Sequence, residues 1–106
     1  MRDLNLQLFD IESNNFHGKL PKDLFSMIGT VQLSSNRFTG TLPNVEMKSA
    51  LTYLDISANE ISGTIPAGIG RASELTRLNL SLNQITGKIP SSITSLEALT
   101  NCKLLF

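Results

Sequence analysis

Few residues in this sequence have the chemistry to catalyse a reaction. Asp10 and Glu12 are two positions apart and so point to the same face of one predicted strand, where they could form a carboxylate pair for cleaving glycosidic bonds. An open sheet, however, would not remove them from water. We therefore expect that the chain is not an enzyme. His17 is the single histidine, expected in a turn, and Cys102 is the single cysteine, expected to be a buried and inert thiol. A metal cluster or a histidine-based triad needs more partners than these, so we predict no metal site and no cofactor.

Side chains suited to binding a partner recur along the chain. Tyr53 and Arg77 are of the types that dominate the energy of protein interfaces, and if both lie on neighbouring strands we expect a cation–π contact between them. The predicted ligand- or partner-binding residues, all expected to face solvent, are Asp10, Glu12, Gln32, Tyr53, Asp55, Arg77, Asn79 and Lys103. The alternative is a sheet face that is merely solvated. Asn79 also begins an N-glycosylation sequon, which makes it a candidate for that modification.

The charge balance excludes two classes of partner. Nine Lys and Arg residues stand against nine Asp and Glu residues, so the chain has no net charge. Binding to nucleic acid or to an anionic membrane surface needs an electrostatic attraction that such a chain lacks, and we expect neither. No stretch approaches the roughly 18 apolar residues of a membrane-spanning helix, and residues 1–12 are too polar for a secretory signal. We expect no direct membrane insertion.

The candidate residues belong to a repeat of 22 to 24 residues. Four segments share an asparagine, an apolar residue two positions later, a glycine four positions later and a proline seven positions later: NNFHGKLP, NRFTGTLP, NEISGTIP and NQITGKIP. Where the chain leaves a strand, a carboxamide can both donate and accept hydrogen bonds for backbone groups in the turn. We therefore predict a structural ladder of stacked side chains formed by Asn14, Asn36, Asn59 and Asn83.

Apolar residues before each asparagine predict the elements that position the binding side chains. They occupy three fixed offsets, so that Ile28 in one repeat aligns with Leu51 in the next, and the last two alternate with polar residues as in a half-buried strand. The predicted strands are centred on Asp10, Gln32, Asp55, Asn79 and Lys103. Connections too long for hairpins favour a parallel stack. We assign a single domain over 1–106, with repeats at about 6–27, 28–50, 51–74 and 75–98 and a partial repeat at 99–106.

The repeat resembles the plant-type leucine-rich repeat, LxxLxLxxNxLxGxIPxxLGxLxx. LTYLDISANEISGTIPAGIGRASE matches almost throughout, and LTRLNLSLNQITGKIPSSITSLEA matches nearly as well. The resemblance implies an α/β-type repeat solenoid: a right-handed coil with short parallel strands on its concave face, a second short strand near the GxIP segment, and 3₁₀ or irregular turns on its convex side. In the second repeat NVEMKSA replaces the usual convex segment, so we expect a looser rung there.

The resemblance also implies a function. Members of the family are mostly ectodomains of receptor-like kinases and receptor-like proteins, which implies a recognition module in signalling or defence on the extracellular side of the plasma membrane. Its partner would be a protein or peptide ligand, or a co-receptor built from the same repeat. The sequence shows no signal peptide, transmembrane helix or cysteine-bearing cap at either end. We therefore expect a fragment of an ectodomain, whose parent can carry a separate serine/threonine kinase domain.

Two alternatives stay open from the sequence. One is a soluble protein resembling the polygalacturonase-inhibiting class, which would act by covering the cleft of an enzyme. The other is a truncated product without independent activity. A solenoid without caps exposes apolar side chains at its ends, so self-association through those ends is also expected.

Overall fold

The computed structural model describes residues 8–10, 15–20, 22–26, 28–45 and 49–104, and over these the chain winds as a solenoid. Each turn of the chain, or rung, adds one strand to a five-stranded main sheet in which neighbouring strands run parallel. The strands of this sheet, in spatial order, are β1 (Leu8–Asp10), β3 (Ile28–Gln32), β5 (Ala50–Asp55), β6 (Arg77–Asn79) and β7 (Asn101–Lys103). Because spatial order follows chain order, the predicted parallel stack is confirmed.

A second, two-stranded parallel sheet lines one flank of the solenoid. It pairs β2 (His17–Lys19) with β4 (Arg37–Thr39), and an isolated bridge continues the pairing into the next rung. This is the second short strand that the repeat implies. His17 therefore lies in a strand, and the expectation of a turn is wrong, because hydrogen bonding between adjacent rungs keeps this segment extended.

Each main strand ends at the residue predicted as its centre. β3 ends at Gln32, β5 at Asp55 and β6 at Asn79. Hydrogen bonds between rungs continue past the strand ends, as where the Leu33 N–H donates to the Asp55 carbonyl at 2.8 Å and the Ser35 N–H to the Ser57 carbonyl at 3.0 Å, but the chain is by then turning. The predicted centres are wrong because the alternation of buried and exposed side chains runs on into the turn, for example to the buried Ile56.

The apolar side chains predicted to point inwards form one continuous core. Leu54, Ile56, Leu78 and Leu80, the inward positions of two adjacent rungs, are all fully buried. A buried side chain of this size contributes about 1.5–3 kcal/mol relative to exposure, but only if a neighbouring rung covers it. Other fully buried apolar side chains are Leu24, Val31, Val45, Leu51, Ile61, Ile69 and Leu75.

The convex side carries a short 3₁₀ helix in three of the rungs. The described helices are Leu24–Ser26, Ala67–Arg71 and Ser91–Ser95. Residues 42–45, the described part of the corresponding segment in the second rung, form no helix. From the next rung, Nη1 of Arg71 donates to the Val45 carbonyl at 2.8 Å and so supports this irregular segment.

The second rung also shifts the pairing of the main sheet. The repeat aligns Ile28 with Leu51, but the structure pairs Ile28 with Ala50 and places a register shift between Gly29 and Thr30. The alignment at Ile28 is therefore wrong, because β5 holds one residue more than β3 in this stretch, as at a β-bulge. Beyond the shift the pairing is regular through the end of both strands.

Asparagine side chains join each rung to the one before it, at the corner where the chain leaves the main sheet. The carboxamide oxygen of Asn59 accepts a hydrogen bond from the Phe38 N–H of the preceding rung at 3.0 Å, and its Nδ2 donates to the Leu33 carbonyl of that rung at 3.0 Å. The same Nδ2 also donates to two carbonyl groups of its own rung. One side chain thus serves backbone groups of two rungs.

The same arrangement recurs at two further ladder positions. Oδ1 of Asn36 accepts from the Phe16 N–H at 2.9 Å, and Oδ1 of Asn83 accepts from the Ile61 N–H at 3.0 Å. Asn14, the first predicted member, lies outside the described residues. Within the described part of the chain, every buried side-chain nitrogen and oxygen has a hydrogen-bond partner.

Replacing Asn59 with Ala should lower the free energy of unfolding by roughly 1 to 3 kcal/mol. The substitution leaves the Phe38 N–H without its acceptor and takes a donor away from three carbonyl groups. Urea unfolding followed by circular dichroism measures the loss. Gln84→Ala, at an exposed position close to Asn83, is the control and should change stability by less than about 0.5 kcal/mol. An Asn59→Ala variant as stable as the wild type would contradict the ladder.

Gly63 and Gly18, on the flank that carries the second sheet, separate two effects of a Gly→Ala substitution on stability: backbone strain and a side-chain clash. Both hold a positive φ, 81° and 105°, so an Ala at either position should lose about 1–2 kcal/mol to backbone strain. A Cβ at Gly63 would also lie 2.7 Å from Cγ2 of Thr41, whereas at Gly18 it would meet nothing within 4 Å. Gly63→Ala should therefore have the lower urea midpoint of the two variants. Equal midpoints would mean that the contact with Thr41 costs nothing.

Candidate binding surface

The face of the main sheet opposite the core, called the concave face below, presents alternate side chains in columns that cross the rungs. The first column is Thr30, Tyr53, Arg77 and Asn101. The second column is Gln32, Asp55, Asn79 and Lys103. Adjacent strands lie about 4.8 Å apart, so the members of a column are direct neighbours. Among the other predicted site residues, Asp10 pairs with Gln32 in the sheet register, and Glu12 lies outside the described residues.

The predicted contact between Tyr53 and Arg77 is confirmed. Cζ of Arg77 lies 5.0 Å from the centroid of the Tyr53 ring, within the range of a cation–π interaction. Arg77 is exposed and Tyr53 is half-buried, so the contact is worth about 0.5–1 kcal/mol. It restricts the guanidinium before any ligand arrives, which lowers the entropy that binding would otherwise cost.

The expectation that Asp55 faces solvent is wrong. Asp55 is only 9% exposed, and its Oδ1 accepts hydrogen bonds from the Ser57 N–H at 2.9 Å and from the Ser57 hydroxyl at 2.6 Å. A short acidic side chain in this position caps the turn that follows its own strand. Asp55 therefore builds the floor of the concave face, with one of its carboxylate oxygens already engaged.

Similar caps occur in the neighbouring rungs. Oδ1 of Asn79 accepts from the Ser81 N–H at 3.1 Å and from the Ser81 hydroxyl at 2.6 Å, and Oε1 of Gln32 accepts from the Ser34 N–H at 3.3 Å. Nδ2 of Asn79, the atom that a glycan would modify, takes no part in the cap. These caps were not predicted, although in three repeats an acidic or amide residue is followed two positions later by serine, which is the sequence signal of such a cap.

Two exposed cations on the concave face have no acidic partner among the described residues. Arg77 and Lys103 lie on the adjacent strands β6 and β7, and neither forms an ion pair with a described residue. The ion pair that the described residues do contain joins Arg37 and Glu60 on the flank, with 3.7 Å between Nε and Oε2. The concave face is therefore locally positive at its C-terminal strands, although the chain as a whole is neutral.

Cys102 differs from its prediction. It occupies the inward position of β7, paired with Leu78, but its side chain is exposed, because no described strand covers the outer edge of β7. The expectation of a buried thiol is therefore wrong. Neighbouring atoms still desolvate the sulfur in part, and this burial raises the pKa of the Cys102 thiol above its ordinary value.

The described residues contain no cluster of three or more His, Cys, Asp or Glu side chains placed to hold a metal ion. They also contain no helix with the length and apolar character needed to cross a bilayer.

Comparison with known proteins gives the same repeat. The sequence model described as Leucine Rich Repeat matches residues 5–27, 50–72 and 74–96. Receptor-like protein 43 of Arabidopsis thaliana is 39% identical over 63 residues, which make up 58% of this chain and 9% of that protein. The chain spans 6–9% of the length of the curated relatives it matches.

Solved structures extend the likeness to nearly the whole chain. The plant peptide hormone receptor RGFR1, solved in complex with RGF2, has a TM-score of 0.83 and 32% identity, and the match covers 97% of this chain and 17% of that one. A chain of the BIR3–SERK2 complex from Arabidopsis thaliana has a TM-score of 0.72 and 32% identity, covering 91% of this chain and 57% of that one.

Two substitutions distinguish the contribution of the Asp55 hydrogen bonds to stability from the contribution of its charge. Asp55→Ala removes the acceptor and should lower the free energy of unfolding by about 1–2 kcal/mol, since the Ser57 N–H loses its partner. Asp55→Asn keeps an oxygen in place, as Asn79 does in the next rung, and should cost less than about 0.5 kcal/mol. Urea unfolding of the three proteins gives both values. Equal losses in the two variants would show that the charge, not the cap, stabilises the turn.

Proposed function

Because the chain belongs to the leucine-rich repeat family, we propose that it is a protein- or peptide-recognition module whose ligand binds across the concave face. The observation that carries the proposal is Arg77, which is exposed, forms no ion pair with the part of the chain that the structure describes, and is held 5.0 Å from the centroid of the Tyr53 ring. A guanidinium fixed on an aromatic ring is ready for a charge-assisted hydrogen bond with an incoming ligand. Tyr and Arg are also the side chains most often found at interface hot spots.

The floor around this pair supports the same role. Asp55 and Asn79 are held by the serines that follow them, so the surface under a ligand is preorganised. Preorganised groups lose little conformational freedom on binding and therefore give more affinity for the same contact area. Gln32 and Lys103 extend the surface along the second column, and the sheet register pairs Asp10 of β1 with Gln32.

The related structures favour two kinds of partner. RGFR1 was solved with RGF2 and BIR3 with SERK2, which supports a peptide, or a co-receptor built from the same repeat, as the partner of this chain. A role in signalling or defence on the extracellular side of the plasma membrane follows as part of the proposal. Glycosylation at Asn79 and self-association through the ends of the stack remain predictions.

The size of the concave face limits the affinity of this chain alone. Five strands at about 4.8 Å make a sheet roughly 20 Å across, and strands of 3 to 6 residues at about 3.3 Å make it roughly 10–20 Å deep. Its face of about 200–400 Å² is smaller than the surface of about 800 Å² that each partner contributes to a standard interface. We therefore expect dissociation constants in the micromolar range or weaker for this stretch of repeats by itself.

Selection from a displayed library of random peptides against the chain tests the location of the site. Synthetic copies of the selected peptides are titrated calorimetrically against the wild type and against Arg77→Ala and Tyr53→Ala. Each substitution should weaken binding about tenfold or more, equivalent to about 1.4 kcal/mol. Both residues lie at the surface, so circular dichroism should report an intact fold in each variant.

Lys88→Ala is the matched control, because it removes an exposed cation from the GxIP segment, outside the main sheet. Its effect on peptide affinity should stay within twofold. Peptides that keep full affinity for Arg77→Ala and Tyr53→Ala but lose it with Lys88→Ala would place recognition elsewhere and refute the proposal.

A further inference from the structure

Leu82 combines two unfavourable features. It is 70% exposed, the highest value among the exposed large apolar side chains of the described residues, where Phe16 has 47% and Ile89 has 49%. Its φ is 57°, in the left-handed region that L side chains rarely adopt. Leucine has no side-chain oxygen or nitrogen with which to relieve this conformation by a local hydrogen bond.

The same backbone conformation recurs in the described rungs with different residues at the position. The residue before each ladder asparagine is left-handed in three described rungs: Ser35 at 58°, Ala58 at 55° and Leu82 at 57°. Glycine or asparagine would suit the position better, since both visit the left-handed region at lower cost. The fold therefore explains the positive φ but not the leucine. A residue that costs stability without contributing to packing is a candidate for function.

The position of Leu82 connects it to the concave face. It follows Ser81, whose hydroxyl caps Asn79, and it lies on the same rung as Arg77. Five residues of extended chain cover at most about 18 Å, so the Cα atoms of Arg77 and Leu82 lie within that distance of each other. Between them lie the half-buried amide of Asn79 and the half-buried hydroxyl of Ser81. This rung thus carries a cation, a polar floor and an apolar side chain in sequence.

We propose that Leu82 is an apolar anchor of the binding surface and that the ligand is an extended peptide with an anionic side chain for Arg77 and an aliphatic or aromatic side chain for Leu82. The charge follows from Arg77 and Lys103, which have no ion-pair partner within the described ranges, and the apolar group follows from Leu82 itself. An extended peptide advances about 3.3 Å per residue, so about five ligand residues span the largest possible separation of the Arg77 and Leu82 Cα atoms. The proposal rests on the proposed function, because it names the ligand chemistry of that same surface.

Leu82→Asn tests the anchor with two independent measurements. Asn relieves the backbone strain and loses little packing at a position this exposed, so the melting temperature should rise by about 2–6 °C. Affinity for the peptides selected from the random library against the wild type should fall about five- to tenfold. Peptide copies whose apolar residue is replaced by Ser should bind wild type and Leu82→Asn with equal affinity, since the two changes remove the same contact.

Ile89→Asn is the control, because it removes another exposed large apolar side chain, one outside the main sheet. It should leave peptide affinity within twofold. If Arg77→Ala weakens binding and Leu82→Asn does not, the anchor is refuted while the recognition role stands. If neither variant weakens binding, both proposals fail. A fall in the melting temperature of Leu82→Asn would mean that the leucine packs within the fold, and this would also overturn the anchor.

Discussion

The need to satisfy backbone groups at the corner of each rung governs this solenoid. When the chain leaves the main sheet, its N–H and C=O groups lose their regular partners while still surrounded by protein. The carboxamide of Asn59 supplies an acceptor to one rung and donors to two, and a carboxamide is the side chain that offers both. Stacking is thus enforced by hydrogen bonds as well as by the leucines beneath them, and neither alone would hold the rungs in register.

The fold does not depend on which side chains occupy the first column of the concave face. The inward leucines, the ladder asparagines and the caps at Asp55 and Asn79 carry the structure. The first column, by contrast, holds a threonine, a tyrosine, an arginine and an asparagine at equivalent places, and from each of them to the end of its strand the pairing is regular. Recognition can therefore vary along the column while the backbone stays the same. Leu82 is a variation of this kind at the rim, at a cost in local backbone strain.

The sequence predicted the repetitive part of the structure well because each rung solves the same physical problem. Spacing alone located the parallel strands, the inward leucines and the neighbouring positions of Tyr53 and Arg77. It failed where a single rung departs from the average, as in the register shift next to Gly29. It also failed where a polar side chain has a local partner: alternation placed Asp55 on the outer face but does not show that the hydroxyl of Ser57 donates a hydrogen bond to its carboxylate. The left-handed backbone at Leu82 has no signal in the sequence of that rung.

The side chains of the main sheet repeat at two different distances, one along each strand and one between neighbouring strands. Along a rung the chain advances about 3.3 Å per residue, the same step as any extended peptide laid beside it, so a ligand in that orientation stays in phase residue by residue. Across the rungs the step is about 4.8 Å. A peptide lying in that direction matches the strand spacing only once in every three of its residues, which together cover two rungs. A ligand lying along a rung can therefore be read at every second side chain, whereas one crossing the rungs is read in triplets.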